Sequence, residues 1–152
     1  MENKLEYAIS AIKSGVPIEE ASRDVDWKDF EGLVAEILES KNFEVTRNFR
    51  MKNPTMEIDV VGIHLGTAVL IDCKHWKRMT NSALENIVLK QIDRVKHYVT
   101  KTDEVMAAPV IVTLYQEGVK LVNKVPIVPI MQFSSFIDEF YGNLEEIRTL
   151  EK

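Results

Sequence analysis

The chain has 152 residues, of which 45% are hydrophobic and 28% charged, and its formal net charge is −5. This length suffices for one globular domain with a real core and is short for two. No apolar run approaches the roughly 20 residues that cross a bilayer, the opening residues predict no secretory signal, and the single cysteine excludes an internal disulfide, so we expect a cytoplasmic protein without membrane contact.

The start of the chain predicts short helices. Residues 2–13 carry apolar side chains at helical spacing, a stretch with glycine and proline ends that helix, and residues 18–23 predict a further helical turn. A helix, a turn and a second short helix can form a DNA-binding helix-turn-helix, but a packing cap is the favoured interpretation. We therefore expect a helical extension over 1–25 and a main domain over 26–152.

The main domain predicts an alternation of helices and strands. Asp26 can cap an amphipathic helix over 27–41. Three strands, a long helix, two short β-branched strands and a closing helix follow, over residues 43–51, 55–63, 67–74, 82–100, 109–114, 125–130 and 134–148. This order predicts an α/β fold in which one mixed sheet of about five strands has helices on both faces.

Two aspartates, Asp59 and Asp72, lie in the second and third strands. If the loop between these strands has an even length centred between Leu65 and Gly66, the aspartates face each other with Cβ atoms roughly 4.5–5.5 Å apart. A three-residue loop would place them on opposite faces of the sheet. Leu65 fits a type I′ turn poorly, so the loop type stays open at this point.

Two facing carboxylates repel each other unless a cation bridges them, and Mg²⁺ prefers such oxygen ligands. Lys74 shares the strand face of Asp72 and can act on an attacking water or neutralise a phosphate. The Cys73 side chain points the other way, so only its backbone carbonyl is a candidate ligand. Alternatively, the acids are exposed residues that pair with Lys74, although acids in apolar strands are rarely left unpartnered.

At these residues the chain resembles the PD-(D/E)XK nuclease superfamily, which has the restriction-endonuclease-like fold. The superfamily pattern is an acid at the end of one strand, then Asp or Glu, any residue and Lys on the next, matched here by Asp59 and by Asp72-Cys73-Lys74. The proline that names the motif is absent before Asp59. The resemblance covers about 26–131 and implies DNA hydrolysis with Mg²⁺, for which Mn²⁺ can substitute.

The helix over 27–41 and the strand after it resemble those of Mrr-type restriction endonucleases and archaeal Holliday junction resolvases. In these families the glutamate of this helix completes the metal site, a role that would fall to Glu31. The alternative is a glutamate at the rim of a core helix. Mrr-type enzymes often have Gln-X-Lys where this chain has Asp-X-Lys, and the resolvases usually have a more basic surface.

The helix over 82–100 carries a third, looser resemblance. RecB-like members of the superfamily have a glutamine and then a tyrosine on this helix near the active site, and Gln91 and Tyr98 are similar at a longer spacing. A site role for Gln91 is thus implied by the resemblance. The alternative is a structural amide, because Gln91 falls inside the apolar face of its helix and needs hydrogen-bond partners there.

Basic and aromatic residues near the motif are candidate DNA contacts. They are His75, Trp76, Lys77 and Arg78 directly after the third strand, and Arg47 and Arg50 in the first strand. The cations can contact phosphates and the tryptophan can stack on a base. The alternative is a solvated basic loop with a packing tryptophan.

Together these features favour a Mg²⁺-dependent DNA endonuclease, either restriction-like or junction-resolving. The alternatives are a catalytically weak or inactive nuclease fold that binds DNA or a partner, and an interaction domain in which the motif is coincidence. Because a cut in both strands commonly uses two sites, we expect a homodimer acting on DNA.

Overall fold

A computed structural model describes residues 10–11, 14–15, 27–74, 79–104, 106–114 and 118–152. The elements in chain order are α1 (Trp27–Ser40), β1 (Glu44–Met51), β2 (Met56–His64), β3 (Thr67–Lys74), α2 (Asn81–Lys101), β4 (Met106–Thr113), β5 (Lys120–Val122), β6 (Val125–Pro129), α3 (Ile130–Asp138), a 3₁₀ helix (Tyr141–Glu146) and β7 (Leu150–Glu151). Apart from residues 10–11 and 14–15, the expected extension over 1–25 lies outside the described residues, as does the Asp26 cap.

The strands of the described part form one mixed sheet in the order β1-β2-β3-β4-β6-β5, and β7 pairs with β4 off this path. β1, β2 and β3 form an antiparallel meander, while β4 runs parallel to β3 and to β6. Pro109 pairs with Leu70 of β3 and falls between the β4 residues that pair with β7 and those that pair with β6. The predicted α/β fold with a mixed sheet is confirmed.

Helices cover both faces of the sheet, as the sequence predicts. α1 and α3 pack on one face through a core that includes Phe30, Leu38 and Phe133. α2 packs on the other face, where Val95 and Val99 meet strand residues of β2, β3 and β4. The central strand β4 is buried on both sides from Ala107 onward, which explains why its sequence is continuously apolar rather than alternating.

The region after β4 differs from the prediction. The closing helix expected over 134–148 is instead α3 over Ile130–Asp138 followed by a 3₁₀ helix. β6 ends at Pro129, which has extended backbone angles and precedes the first helical residue. Because Phe133, Ile137 and Phe140 are buried in one core, the apolar pattern continues across the break and resembles a single helix.

Two short strands were absent from the predicted elements. β5 has only three residues, which are exposed or half-buried, and it pairs with β6 through a turn whose residues Asn123 and Lys124 have φ of 50° and 64°. β7 has two residues and pairs with Met106 and Ala107. Strands this short carry too few residues for an alternating pattern to be recognisable. In the described part of the chain, no helix has the length and apolar character needed to span a membrane.

Candidate active site

The β2–β3 hairpin has the even-length loop considered above. Leu65 and Gly66 form the turn with φ of 52° and 77°, and two consecutive positive values are typical of a type I′ turn. The register pairs His64 with Thr67 and continues to Val60 and Ile71. Leu65 therefore adopts the turn despite its side chain, and the even register places Asp59 and Asp72 at equivalent points of the two strands.

The regular pairing of β2 and β3 ends just before the aspartates. The next hydrogen-bonded pair in this register would be Ile58 with Cys73, but the Cys73 N–H donates instead to Oδ2 of Asp59 at 2.9 Å. The carboxylate thus takes the place of a backbone acceptor. The two strands separate at this end of the hairpin, and the Asp59 side chain fills the space between them.

A change of side-chain direction in β2 explains how Asp59 reaches this position. Ile58 packs on the α2 face of the sheet and Val60 on the α1 face, although alternate residues of a regular strand share a face. β1 makes the same change beside Asp59, at Asn48, whose φ is 53°. Asp59 therefore stands where the pleat reverses, and its carboxylate points toward β3.

Asp72 lies on the α2 face of β3 and is buried. Its Oδ2 atom is 3.3 Å from Nζ of Lys74 and 3.9 Å from Nη1 of Arg94. The same atom has no hydrogen-bond partner among the described residues. A buried carboxylate oxygen without a hydrogen bond is costly in the absence of a compensating charge. Asp72 therefore has an oxygen atom that can still coordinate a cation.

The two aspartates influence each other electrostatically. Burial raises the pKa of Asp59 to about 6, and the nearby Asp72 carboxylate also raises it, while the hydrogen bond from Cys73 and the charge of Lys74 act in the opposite direction. Both aspartates line one cleft of about 570 Å³. The cleft therefore concentrates negative charge where a cation would relieve the repulsion.

The match to known families covers this region. A model of the restriction endonuclease family, Mrr_cat, matches residues 22–115. The chain belongs to the restriction endonuclease family. The matched span contains α1, the β1–β3 meander and α2. These elements carry the site residues Asp59, Asp72, Lys74 and Arg94.

Solved structures give weaker similarities to this restriction endonuclease family member. The small subunit of the heterodimeric restriction endonuclease R.BspD6I shares 15% identity and a TM-score of 0.49, over 97% of this chain and 82% of that one. A protein of unknown function, AF1548, shares 21% identity and a TM-score of 0.42 over 70% of this chain. The chain spans about half of AF1548, at 52% of its length. Comparison with curated proteins gives no match.

Glu31, predicted from the family resemblance, lines the same cleft from α1. Its Oε2 atom is 3.7 Å from Nη2 of Arg47. Burial raises the pKa of Glu31, and the charge of Asp59 adds to that rise. The described residues hold no group of three or more acidic, histidine or cysteine side chains placed to bind one metal ion.

Gln91 lies on α2 and is fully buried. Its Nε2 donates to the carbonyl oxygen of Leu70 at 2.9 Å, and its Oε1 accepts from Nη1 of Arg94 at 2.9 Å. Tyr98 instead belongs to the core, where its ring meets that of Phe49 edge to face and burial raises its pKa to about 12. Gln91 is thus connected to Asp72 through Arg94, whereas Tyr98 packs in the core.

Two of the six predicted DNA contacts, Arg47 and Arg50, lie in the described part of the chain. Arg47 lies against Glu31, and Arg50 is an exposed side chain 3.7 Å from Glu57. His75, Trp76, Lys77 and Arg78 lie outside the described residues. Neither arginine is among the residues that line the cleft.

Several residues of the cleft were not singled out in the sequence, among them Asn48, Lys90 and Arg94. Arg94 was detectable, because it follows Gln91 by three residues and therefore shares its side of the helix. Asn48 had no local signal, since its contribution depends on the reversal of the pleat in β1.

Proposed function

We propose that this chain is a Mg²⁺-dependent DNA endonuclease that hydrolyses phosphodiester bonds, and that Asp59, Asp72 and Lys74 form the centre of its active site. The observation that carries the proposal is the pair of aspartates where β2 and β3 separate, with a lysine amine 3.3 Å from one of them. Membership of the restriction endonuclease family supports the same chemistry.

The residues present fit a divalent ion. Asp59 and Asp72 supply carboxylate oxygens, and one buried oxygen of Asp72 has no hydrogen bond from any residue that the structure describes. The carbonyl of Cys73 points to the same side of β3 as its N–H, toward the gap that Asp59 fills. Two carboxylates and one carbonyl, completed by water, suit the oxygen coordination of Mg²⁺, and Mn²⁺ can substitute. When bound, such an ion supplies Lewis-acid stabilisation of a phosphoryl oxygen and makes a nearby water more acidic.

The other side chains of the site would position the attacking water and stabilise the charge that develops on the phosphate. The Lys74 amine lies on the cleft side of Asp72, where it can orient an attacking water and neutralise charge that develops on the phosphate. Glu31, which also lines the cleft, is proposed to complete the metal site, as the family resemblance implies. Gln91 holds α2 to β3 through its bond to Leu70 and accepts a hydrogen bond from Arg94, which lines the cleft.

The DNA contacts are proposed to come from basic residues around the cleft. In the sequence, His75, Trp76, Lys77 and Arg78 follow β3. Arg47 and Arg50 add charge on β1. A cut in both strands commonly uses two such sites, so we propose a homodimer, which sedimentation or light scattering with and without DNA would test. Residues 1–25 are proposed to form a separate helical extension of the nuclease domain over 26–152.

The experiment is a cleavage assay with supercoiled, linear and branched DNA, in Mg²⁺, in Mn²⁺ and in EDTA. We expect cleavage only with a divalent ion. Asp72→Asn and Lys74→Met should each reduce the rate by at least about a hundredfold, since each removes charge stabilisation at the reacting phosphate. Asp103→Asn and Lys96→Met make the same chemical changes on exposed parts of the chain and serve as controls.

Cleavage that persists unchanged in Asp72→Asn would refute the proposal. Metal-dependent DNA binding without cleavage by the wild-type protein would instead favour a binding module. Neither binding nor cleavage would favour an interaction domain.

A further inference from the structure

One turn of α2 places an arginine beside the candidate metal ligand. Arg94 is 24% exposed at its side chain, and its Nη1 atom is 3.9 Å from Oδ2 of Asp72. The distance is too long for a hydrogen bond. The guanidinium therefore stands near the carboxylate without closing onto it.

Gln91 accounts for this separation. The buried amide is held by its own donation to the Leu70 carbonyl, and its oxygen accepts from Nη1 of Arg94 at 2.9 Å. The Nη1 atom of Arg94 is thus hydrogen-bonded to a residue of its own helix. The amide acts as a tether that keeps the guanidinium at the wall of the cleft.

Arg94 lines the cleft and has further N–H groups that can donate. A guanidinium has five donors in a planar fork, and among the described residues Arg94 has only Gln91 and Asp72 as partners. Lys90 lies one helical turn away on the same wall. Asp93, the acid between them in sequence, is paired with His97 at 3.8 Å.

We propose that Arg94 is the phosphate-binding cation of this site and that Gln91 is its positioning residue, which keeps the guanidinium from occupying the place of the metal ion at Asp72. The inference rests on the proposed nuclease function and deepens it. A planar fork suits a phosphodiester, since it can donate two parallel hydrogen bonds to the two non-bridging oxygens. Arg94 and a divalent ion held by Asp72 would then both bind the phosphate.

This arrangement gives Arg94 opposite effects on the two ligands. A positive charge near Asp72 weakens the binding of a cation there, whereas the same charge strengthens the binding of DNA. A residue with a merely structural role would instead weaken both when it is replaced. The direction of the two changes therefore separates the roles.

The test compares Arg94→Met with the wild type and with Lys96→Met, which removes one cation from an exposed position of the same helix. Mn²⁺ binding is measured by calorimetry without DNA, and binding of a short fluorescent duplex is measured in Ca²⁺ over a range of salt concentrations. For Arg94→Met we expect Mn²⁺ affinity to rise about fivefold to tenfold. Duplex affinity should fall about tenfold to a hundredfold, and the salt slope should become shallower by about 0.9, as for the loss of one phosphate contact.

Gln91→Met tests the tether, because methionine has a similar shape and does not hold the guanidinium. In this variant Arg94 can close onto Asp72, so Mn²⁺ affinity should fall severalfold. The fall should disappear in the double variant Gln91→Met/Arg94→Met, since the tether then has nothing to hold. Thermal unfolding shows whether each variant is folded.

Reduced affinity of Arg94→Met for both Mn²⁺ and duplex, or no change in either, would overturn the inference while DNA cleavage by the wild type left the proposed function intact. A loss of Mn²⁺ affinity that is the same for Gln91→Met with and without Arg94 would overturn the role of the tether. A wild-type protein that neither binds Mn²⁺ nor cleaves DNA would refute the proposed function, and the inference with it.

Discussion

Asp59→Asn should stabilise the metal-free protein above about pH 6. Burial and the neighbouring Asp72 raise the pKa of Asp59 from 3.8 to about 6 in the folded state. The folded state therefore favours the protonated carboxyl, and the stability that this provides is complete below the unfolded pKa near 3.8 and is lost as the pH rises through about 6. The amide oxygen of asparagine can still accept from the Cys73 N–H.

The size of the effect follows from the shift. About two pH units correspond to about 3 kcal/mol at most, and partial exposure of the cleft to solvent reduces this to about 1–2 kcal/mol. For a chain of this length we expect a rise in melting temperature of roughly 2–8 °C. Mg²⁺ should reverse the order, because it stabilises the wild-type carboxylate pair and binds the asparagine variant poorly.

Thermal unfolding followed by circular dichroism between pH 4 and pH 8, in EDTA and in Mg²⁺, measures both effects. The two proteins should have similar melting temperatures near pH 4 and diverge as the pH rises. Asp103→Asn, a change at an exposed acid, should alter the melting temperature little at any pH. If Asp59→Asn melted below the wild type at pH 8 in EDTA, the ionised Asp59 would not destabilise the metal-free folded state.

Three further outcomes follow from the fold. Gly62→Ala should lower the free energy of unfolding in urea by about 1–3 kcal/mol, because a Cβ there would lie 2.9 Å from Cδ1 of Leu38 and 3.2 Å from Cδ2 of Phe43, both buried. Unchanged stability would mean that these side chains move aside at little energetic cost. Leu65→Asn should raise the free energy of unfolding in urea by about 1 kcal/mol, since the 78% exposed leucine has a φ of 52° that asparagine adopts at lower cost. A destabilised variant would argue against this turn. The Cys73 thiol is buried and burial raises its pKa well above 9.0, so a disulfide reagent at pH 8 should modify it only after unfolding, and rapid modification of the folded protein would contradict that burial.

The meander could be predicted from the sequence, whereas its register depended on a loop length that the sequence left open. The apolar strands around Asp59 and Asp72 indicate two-sided burial, and an even loop at Leu65-Gly66 brings the aspartates to equivalent points. The loop length was the undecided element, since leucine is disfavoured at a left-handed turn position. The tertiary packing of the hairpin overrides that local preference.

Other features had no signal in the sequence that a periodicity argument could use. The reversal of the pleat at Asn48 and Asp59 depends on two strands changing together. The break between α3 and the 3₁₀ helix is hidden by apolar residues that stay in register across it. Arg94 differs from these, because its spacing from Gln91 indicates a shared side of the helix, and what the sequence does not indicate is the hydrogen bond between them.

The bond from the Cys73 amide to the Asp59 carboxylate makes the backbone itself a reporter. A peptide proton held by a charged oxygen resonates at a different frequency from one held by a neutral oxygen, so a labelled sample would show this single signal move as Asp59 takes up a proton or an ion. Occupancy of the cleft could then be followed by nuclear magnetic resonance without any DNA in the tube.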